Sequence, residues 1–331
     1  MEITPNLSFR VEEYQDRVAR VRQSMAEREL DALLVHHFPN ICYLSGYQSF
    51  NNYDYYVLLL PLEGEPALIL WHSELGNARV SSWITKTFTF ETQGDPVALT
   101  IDMLNEYGLG NKRLGMELNT GNLTVQSCQR ILDAFPEATI VDCANLVEEY
   151  RTLKSPAEVD HIREAAAITD AGMGAAVEAA HAGASDQEIS AAAYQALISE
   201  GSEYMCLQPV VCAGALAGIP HGNHRRISVK EGETILLELS GCVHRYNAPL
   251  MRAVVIGPPN ETVKRMADAI LETLNGVIET MQPGRVFDEA AEIGEAAIAK
   301  AGAEMIFHHH FAYSVGLGFP PTWADCPVRV M

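Results

Sequence analysis

Leu236-Leu237-Glu238-Leu239-Ser240-Gly241-Cys242-Val243-His244-Arg245-Tyr246-Asn247-Ala248-Pro249-Leu250-Met251-Arg252 decides how this chain is read. The apolar run over residues 234–239 has the length of a strand and carries one carboxylate, Glu238. A tight polar connection follows, and the chain returns through Pro249. Two neighbouring strands of this kind have the form of a ligand pair for two cations. Such a pair needs at least two bridging carboxylates to hold the ions roughly 3.5–4 Å apart. One Glu and a Pro cannot do so, and the stretch implies chemistry without that metal pair. An ionised carboxylate inside an apolar strand is costly unless it is paired. Glu238 is therefore a candidate general acid or base, or an anchor for a cationic substrate. The alternative is a structural ion pair with Arg245 or Arg252.

Around this stretch, strands at 209–213, 233–240 and 250–256 lie between two helix pairs, 156–181 with a helix starting at Asp186, and 261–281 with 287–301. Ser155, Pro156 and Glu158 suit an N-cap, a first helical position and a capping box. The two helix pairs suggest a duplicated α+β domain. Upstream, Val11, Tyr14, Val18, Val21 and Met25 recur at helical spacing within residues 9–30. Apolar strands follow at 32–36, 55–61, 67–71 and 138–141, with a helix at 122–134, and Pro39-Asn40 ends the first strand. The expected organisation is an α/β domain over residues 1–150 and a second domain over 151–331.

With 331 residues, two cores can be buried. A net charge of −20 argues against a nucleic-acid surface, which relies on clustered Lys and Arg. The sequence carries no apolar run of membrane-spanning length and no secretory leader, so a cytoplasmic location is expected. The seven cysteines form no Cys-x-x-Cys and read as reduced, buried thiols. A dinucleotide fingerprint, a Gly-x-Ser-x-Gly elbow and a phosphate loop are all missing.

Three further segments can carry chemistry. In Pro220-His221-Gly222-Asn223-His224-Arg225-Arg226, a His beside Gly can enter a cleft with little crowding and serve as general acid–base; a solvated surface turn is the alternative. His308-His309-His310 suits a transition metal in residue type, but only His308 and His310 could share one strand face, and a cleft wall is the preferred reading. Gly316-Leu317-Gly318-Phe319-Pro320-Pro321 reads as a rigid turn.

Asp31-Ala32-Leu33-Leu34-Val35, the run from Asn40 to Tyr47, Arg151 to Val159, Pro220-His221, and Lys230-Glu231-Gly232-Glu233 leading to Glu238 occur in one order. Together they resemble the creatinase and Xaa-Pro peptidase ("pita-bread") family over essentially the whole chain. The resemblance implies an α+β fold: a creatinase-like N-terminal α/β domain followed by a pita-bread catalytic domain. That second domain is expected to be C-terminally incomplete, because the family's last two glutamate ligands would fall beyond residue 331. At the places of the first two aspartate ligands stand Glu238 and Pro249, and Tyr313 stands at the place of the ligand His.

These departures point to the family's metal-free branch, and Gly241-Cys242, His244-Arg245-Tyr246, Pro249 and Arg252 bring the likeness closest to its ectoine hydrolase members. The implied activity is metal-independent hydrolysis of a non-peptide C–N bond in a small amidine- or guanidine-like zwitterion. His221 and Glu238 are the implied catalytic residues, and His309, Tyr313, Arg252, His244 and Tyr246 the implied substrate contacts. No metal or cofactor is expected, the partner is a small molecule rather than a membrane or nucleic acid, and the family resemblance implies a homodimer. The alternatives are a metal-dependent Xaa-Pro dipeptidase or aminopeptidase, and a non-catalytic member that only binds.

Overall fold

The computed structural model describes residues 5–219, 221–302 and 311–330. It forms two compact units, Met1–Ala157 and Glu158–Met331. The division falls in the first turn of the helix that opens the second unit.

In the first unit, α1 (Val11–Glu27) buries Tyr14, Val18, Val21 and Met25, the stripe expected from the sequence. Six strands form one mixed sheet: β1 (Ala32–Val35), β2 (Val57–Pro61), β3 (Ala67–Trp71), β4 (Thr87–Phe90), β5 (Arg113–Met116) and β6 (Thr139–Asp142), in the order β4-β3-β2-β1-β5-β6. The central strands are buried along their whole length, so their sequences run apolar without alternation. Helices α2 (Phe38–Ser45), α3 (Leu75–Ser81), α4 (Pro96–Glu106), α5 (Val125–Ala134) and α6 (Leu146–Thr152) complete the unit. Pro39 does not simply end β1. It occupies the first turn of α2, where a missing N–H costs nothing. Glu117 completes that helix start: its carboxylate accepts the backbone N–H groups of His36 (2.8 Å) and His37 (2.6 Å) and the Asn40 side-chain amide (2.6 Å).

In the second unit, α7 (Pro156–Ala179) and α8 (Asp186–Ser199) cover one face of an antiparallel sheet. The sheet runs β11-β10-β9-β8-β7 and comprises β7 (Val210–Ala213), β8 (Thr234–Val243), β9 (Tyr246–Val255), β10 (Ala312–Phe319) and β11 (Thr322–Val330). Helices α9 (Glu261–Thr280) and α10 (Phe287–Ala301) pack on each other around Val277, Ala290 and Ala291. The capping box of α8 forms between Ser185 and Glu188. Gly241 lets α7 approach the sheet, since a side chain there would meet the Ala165 carbonyl oxygen at 2.7 Å. Thr169 ties the two together by donating to the Ala248 carbonyl (2.8 Å) while accepting the Gly241 N–H (2.7 Å).

Two expectations change here. Gly316 to Phe319 belongs to strand β10, and only Pro320-Pro321 turns, because the glycines lie against Asn247 and the next strand rather than at a bend. β9 also begins earlier than residue 250, which leaves His244-Arg245 as a two-residue hairpin turn.

Candidate functional site

Pairing of β8 with β9 runs without a bulge from Thr234↔Val255 to Val243↔Tyr246 and puts Glu238 opposite Met251 and Ser240 opposite Pro249. Side chains alternate across a strand, so the register sorts the stretch into two faces. One face carries Ile235, Leu237, Leu239 and Val243 with Ala248, Leu250 and Val254, all packed into the core with α7 and α8. The opposite face carries Leu236, Glu238, Ser240 and Cys242 with Asn247, Pro249 and Met251. From β7, Val210 and Cys212 join this second face, lying opposite Glu238 and Leu236.

Glu238 is half-buried here, and Pro249 supplies no donor beside it. Among the described residues, no group of three or more His, Cys, Asp or Glu side chains could hold a metal ion. The donors present on this face, one carboxylate among apolar and small polar side chains, do not fit a two-cation centre.

His221 lies in the loop that follows β7. Its φ of 59° puts a non-glycine residue in the left-handed region, a conformation that clusters at functional sites. The loop is held at three points. Gly222 sits so close that a side chain there would meet the Cys212 sulfur at 3.0 Å. The Asn223 side-chain oxygen accepts the N–H of Val211 (3.3 Å) and of His224 (2.7 Å). The fully buried Asp186, at the start of α8, accepts the N–H of Arg225 (2.6 Å) and of Ile227 (3.0 Å). The loop is thereby fixed against Cys212, which lies on the same face as Glu238.

Tyr313, on β10, reaches the same neighbourhood. Burial pushes its phenol above the usual tyrosine range, the Trp323 hydrogen bond pulls it back, and the nearby Glu238 charge adds to the upward push. Its oxygen accepts the Trp323 indole N–H at 3.0 Å. The Cys212 thiol is raised by burial first and then by Glu238 and Asp186, while Arg225 opposes the rise. The Glu238 charge thus acts on both Tyr313 and Cys212, and Asp186 and Arg225 act on Cys212 as well.

Three sequence candidates lie elsewhere. Arg252 is opposite Leu237, on the helix-covered face, with its exposed guanidinium donating to the Met251 carbonyl (2.7 Å); it neither pairs with nor orients Glu238. Tyr246 shares that face and is buried, donating its hydroxyl to Glu158 at 2.8 Å. His244 occupies the hairpin turn, its ring 4.5 Å from that of His161, and burial and the His161 charge hold its pKa down. Arg245, the other candidate partner of Glu238, is fully buried under Tyr204 and donates to the carbonyls of Tyr204 (2.6 Å) and Gly318 (3.3 Å) and to the Cys206 sulfur (3.0 Å). Those bonds hold His244 and Arg245 at φ of 49° and 68°, a strained pair for a two-residue turn without glycine. His309, with His308 and His310, lies outside the described residues.

Cys212, Asn223, Asp186 and Arg225 were not singled out by the sequence as parts of this site. Asp186 was visible only as a helix start, and its reach to the loop depends on how α8 packs beside β7.

Comparison with known proteins completes the description. The model of metallopeptidase family M24 matches residues 160–327, and that of the creatinase/prolidase N-terminal domain matches residues 17–153. Ectoine hydrolase from Halomonas elongata is 30% identical over 345 residues, covering 98% of this chain and 85% of the relative. The Xaa-Pro dipeptidase of Pyrococcus horikoshii is 25% identical over 304 residues, covering 91% of this chain and 82% of the relative. Among solved structures, a prolidase from Thermococcus sibiricus matches with a TM-score of 0.83 at 19% identity, over 96% of this chain and 86% of that one. Prolidase from Pyrococcus horikoshii matches with a TM-score of 0.79 at 22% identity, over 95% and 87%. These two share the fold.

Proposed function

The chain belongs to metallopeptidase family M24, an enzyme with a creatinase-type N-terminal domain and a pita-bread domain, and from that premise we propose that it hydrolyses a non-peptide C–N bond in a small amidine- or guanidine-like zwitterion without a metal ion. The observation that carries this reading is the face of the β8–β9 hairpin, where Glu238 is the carboxylate and Pro249 takes the place a second one would need. The likeness to ectoine hydrolase supports the same substrate class, a cyclic amidine bearing a carboxylate.

In this reading Glu238 binds the amidinium and stabilises the positive charge as water adds to the amidine carbon. His221 takes a proton from that water and returns it to the departing nitrogen, so the C–N bond breaks to give an amide and an amine. Tyr313 stays a phenol at neutral pH. With its oxygen accepting from Trp323, its own proton points to another acceptor, which suits a substrate oxygen or the Glu238 carboxylate. A cytoplasmic location and a homodimer belong to the same proposal.

His221→Ala is expected to lower kcat for a carboxylate-bearing cyclic amidine by about 10²–10⁴-fold, the usual worth of a general acid–base, with an unchanged circular dichroism spectrum. Retained turnover would remove His221 from the mechanism. The second reading, a metal-dependent Xaa-Pro dipeptidase, is favoured by the dipeptidase relatives. Cleavage of Xaa-Pro dipeptides, dependent on added Mn, Co or Zn, would establish it.

A further inference from the structure

The first unit holds a cavity that shares no residue with the face bearing Glu238. Its volume is about 690 Å³, the size of a small-molecule site. Leu75, Ala78, Arg79 and Ser82 line it from α3 and the residue that ends this helix, at the spacing i, i+3, i+4 and i+7 that puts side chains on one helix face. Leu7 and Val11 form a second wall, where the Asn6 N–H holds the chain in place by donating to the Val80 carbonyl at 2.7 Å. Trp83 and Ile84 form a third. The Trp83 indole N–H donates to the Leu44 carbonyl (2.9 Å), and the Ser82 hydroxyl donates to the Ser45 carbonyl (3.0 Å) while accepting the Ile84 N–H (3.1 Å). The polar atoms of Trp83 and Ser82 are thus engaged by the protein's own backbone, and these walls offer a ligand mainly apolar surface.

Arg79 is the exception. It is the one charged side chain among the residues that line the cavity, and no hydrogen bond or ion pair of its guanidinium occurs among the described residues. Several exposed cations of this chain, whose net charge is −20, are taken up by carboxylates instead, as Lys86 is by Glu106, Arg130 by Asp95 and Lys300 by Glu272. We propose that this cavity binds a small monocarboxylate with an apolar body. The carboxylate meets the Arg79 guanidinium, whose planar fork matches it with two parallel hydrogen bonds, and the hydrocarbon part lies among Leu7, Val11, Leu75 and Trp83. Apolar walls strengthen such an ion pair by keeping water from it. An amine is repelled by Arg79, and an inorganic anion leaves the apolar walls uncovered, so the two features together select an apolar acid. The assignment stands apart from the reaction proposed for the second unit.

Two probes test the assignment: 4-phenylbutanoate, and 4-phenylbutan-1-ol, which keeps the apolar body and lacks the charge. In titration calorimetry the native protein is expected to bind the acid about 10- to 100-fold more tightly than the alcohol, the contribution of a charge-assisted hydrogen-bond pair. Arg79→Gln is expected to abolish that preference by weakening the acid alone, with the alcohol bound as before. Arg79 is exposed, so this variant keeps the fold. Leu75→Trp, which fills the cavity from a half-buried position, is expected to remove binding of both probes with an unchanged circular dichroism spectrum, and Val11→Trp does the same from the wall at α1. No binding of the acid by the native protein, equal affinity for the two probes, or a preference that survives Arg79→Gln overturns the proposal. Undiminished binding of the acid by a folded Leu75→Trp or Val11→Trp protein overturns it as well.

Discussion

Glu238 and Glu117 show how differently one side chain is treated by its surroundings. Glu238 is half-buried on the sheet face away from α7 and α8, and its charge acts on a phenol and a thiol. Glu117 is enclosed in the first unit, and burial pushes it from its ordinary 4.5 up to about 8, with Glu148 adding to the rise and its three hydrogen bonds opposing it. His36 next to it is held down at about 4 by burial. The signs follow from linkage. A carboxyl raised in the folded state contributes stability that is complete below about 4.5 and is lost as pH rises through about 8. A histidine lowered in the folded state contributes stability present above 6.5 and lost as pH falls through about 4. The two oppose each other between 4.5 and 6.5, so the decline expected from Glu117 shows above 6.5. Between pH 6.5 and 8 the first unit should lose about 2 kcal/mol of stability, at about 1.4 kcal/mol per pH unit. Glu117→Gln should flatten that decline, read as hydrogen-exchange protection of the β1 and β5 amides at the two pH values. A variant that keeps the native slope would contradict the assignment.

At this scale Glu238 and His221 are legible as candidates, because a carboxylate in an apolar strand and a His beside Gly are visible without coordinates, while Tyr313 enters only through the family resemblance. Arg252 and Tyr246, two of the expected substrate contacts, lie on the face of β9 away from Glu238, for a geometric reason. Which side of β9 a residue occupies depends on the length of the hairpin turn, and the turn proved to be His244-Arg245 alone. A strand starting at residue 250 leaves that parity open.

Among the elements, the loop after β7 and the start of α8 work as a pair. Asp186 is fully buried and spends its carboxylate on two loop N–H groups, and those bonds fix His221 and Arg225 together. Asp186→Ala leaves two amides short of a partner, at about 1–3 kcal/mol each where they stay buried. The variant should therefore unfold at lower temperature and lose kcat with the cyclic amidine, while Asp186→Asn, which keeps one acceptor, should lie between it and the native protein. Full activity in Asp186→Ala would show that the loop needs no such anchor. Several elements were legible in the sequence: α1, α7, α8, β2 and β3 fall close to their expected places. Others were not. α3, β4 and β5 span few residues each, and α4, though longer, buries Val97, Met103 and Leu104 against neighbours distant in sequence. The second half of β10, from Gly316, was read as a turn because its glycines carry a turn's composition, whereas here Gly318 allows close approach to Asn247.

At the scale of the molecule, two units of different architecture carry separate cores. In the second unit a pair of helices accompanies β7 to β9 and another precedes β10 and β11, the repeated pattern that the helix spacing suggested. No helix among the described residues is long and apolar enough to cross a membrane. On this frame the question of function reduces to whether one carboxylate and one histidine replace a metal pair. The direct measurement is turnover of a carboxylate-bearing cyclic amidine by protein stripped with chelator and shown by elemental analysis to hold far less than one metal ion per chain. The account predicts undiminished ring opening that added Mn, Co or Zn does not increase. Activity lost on stripping and restored by one of those ions would contradict it.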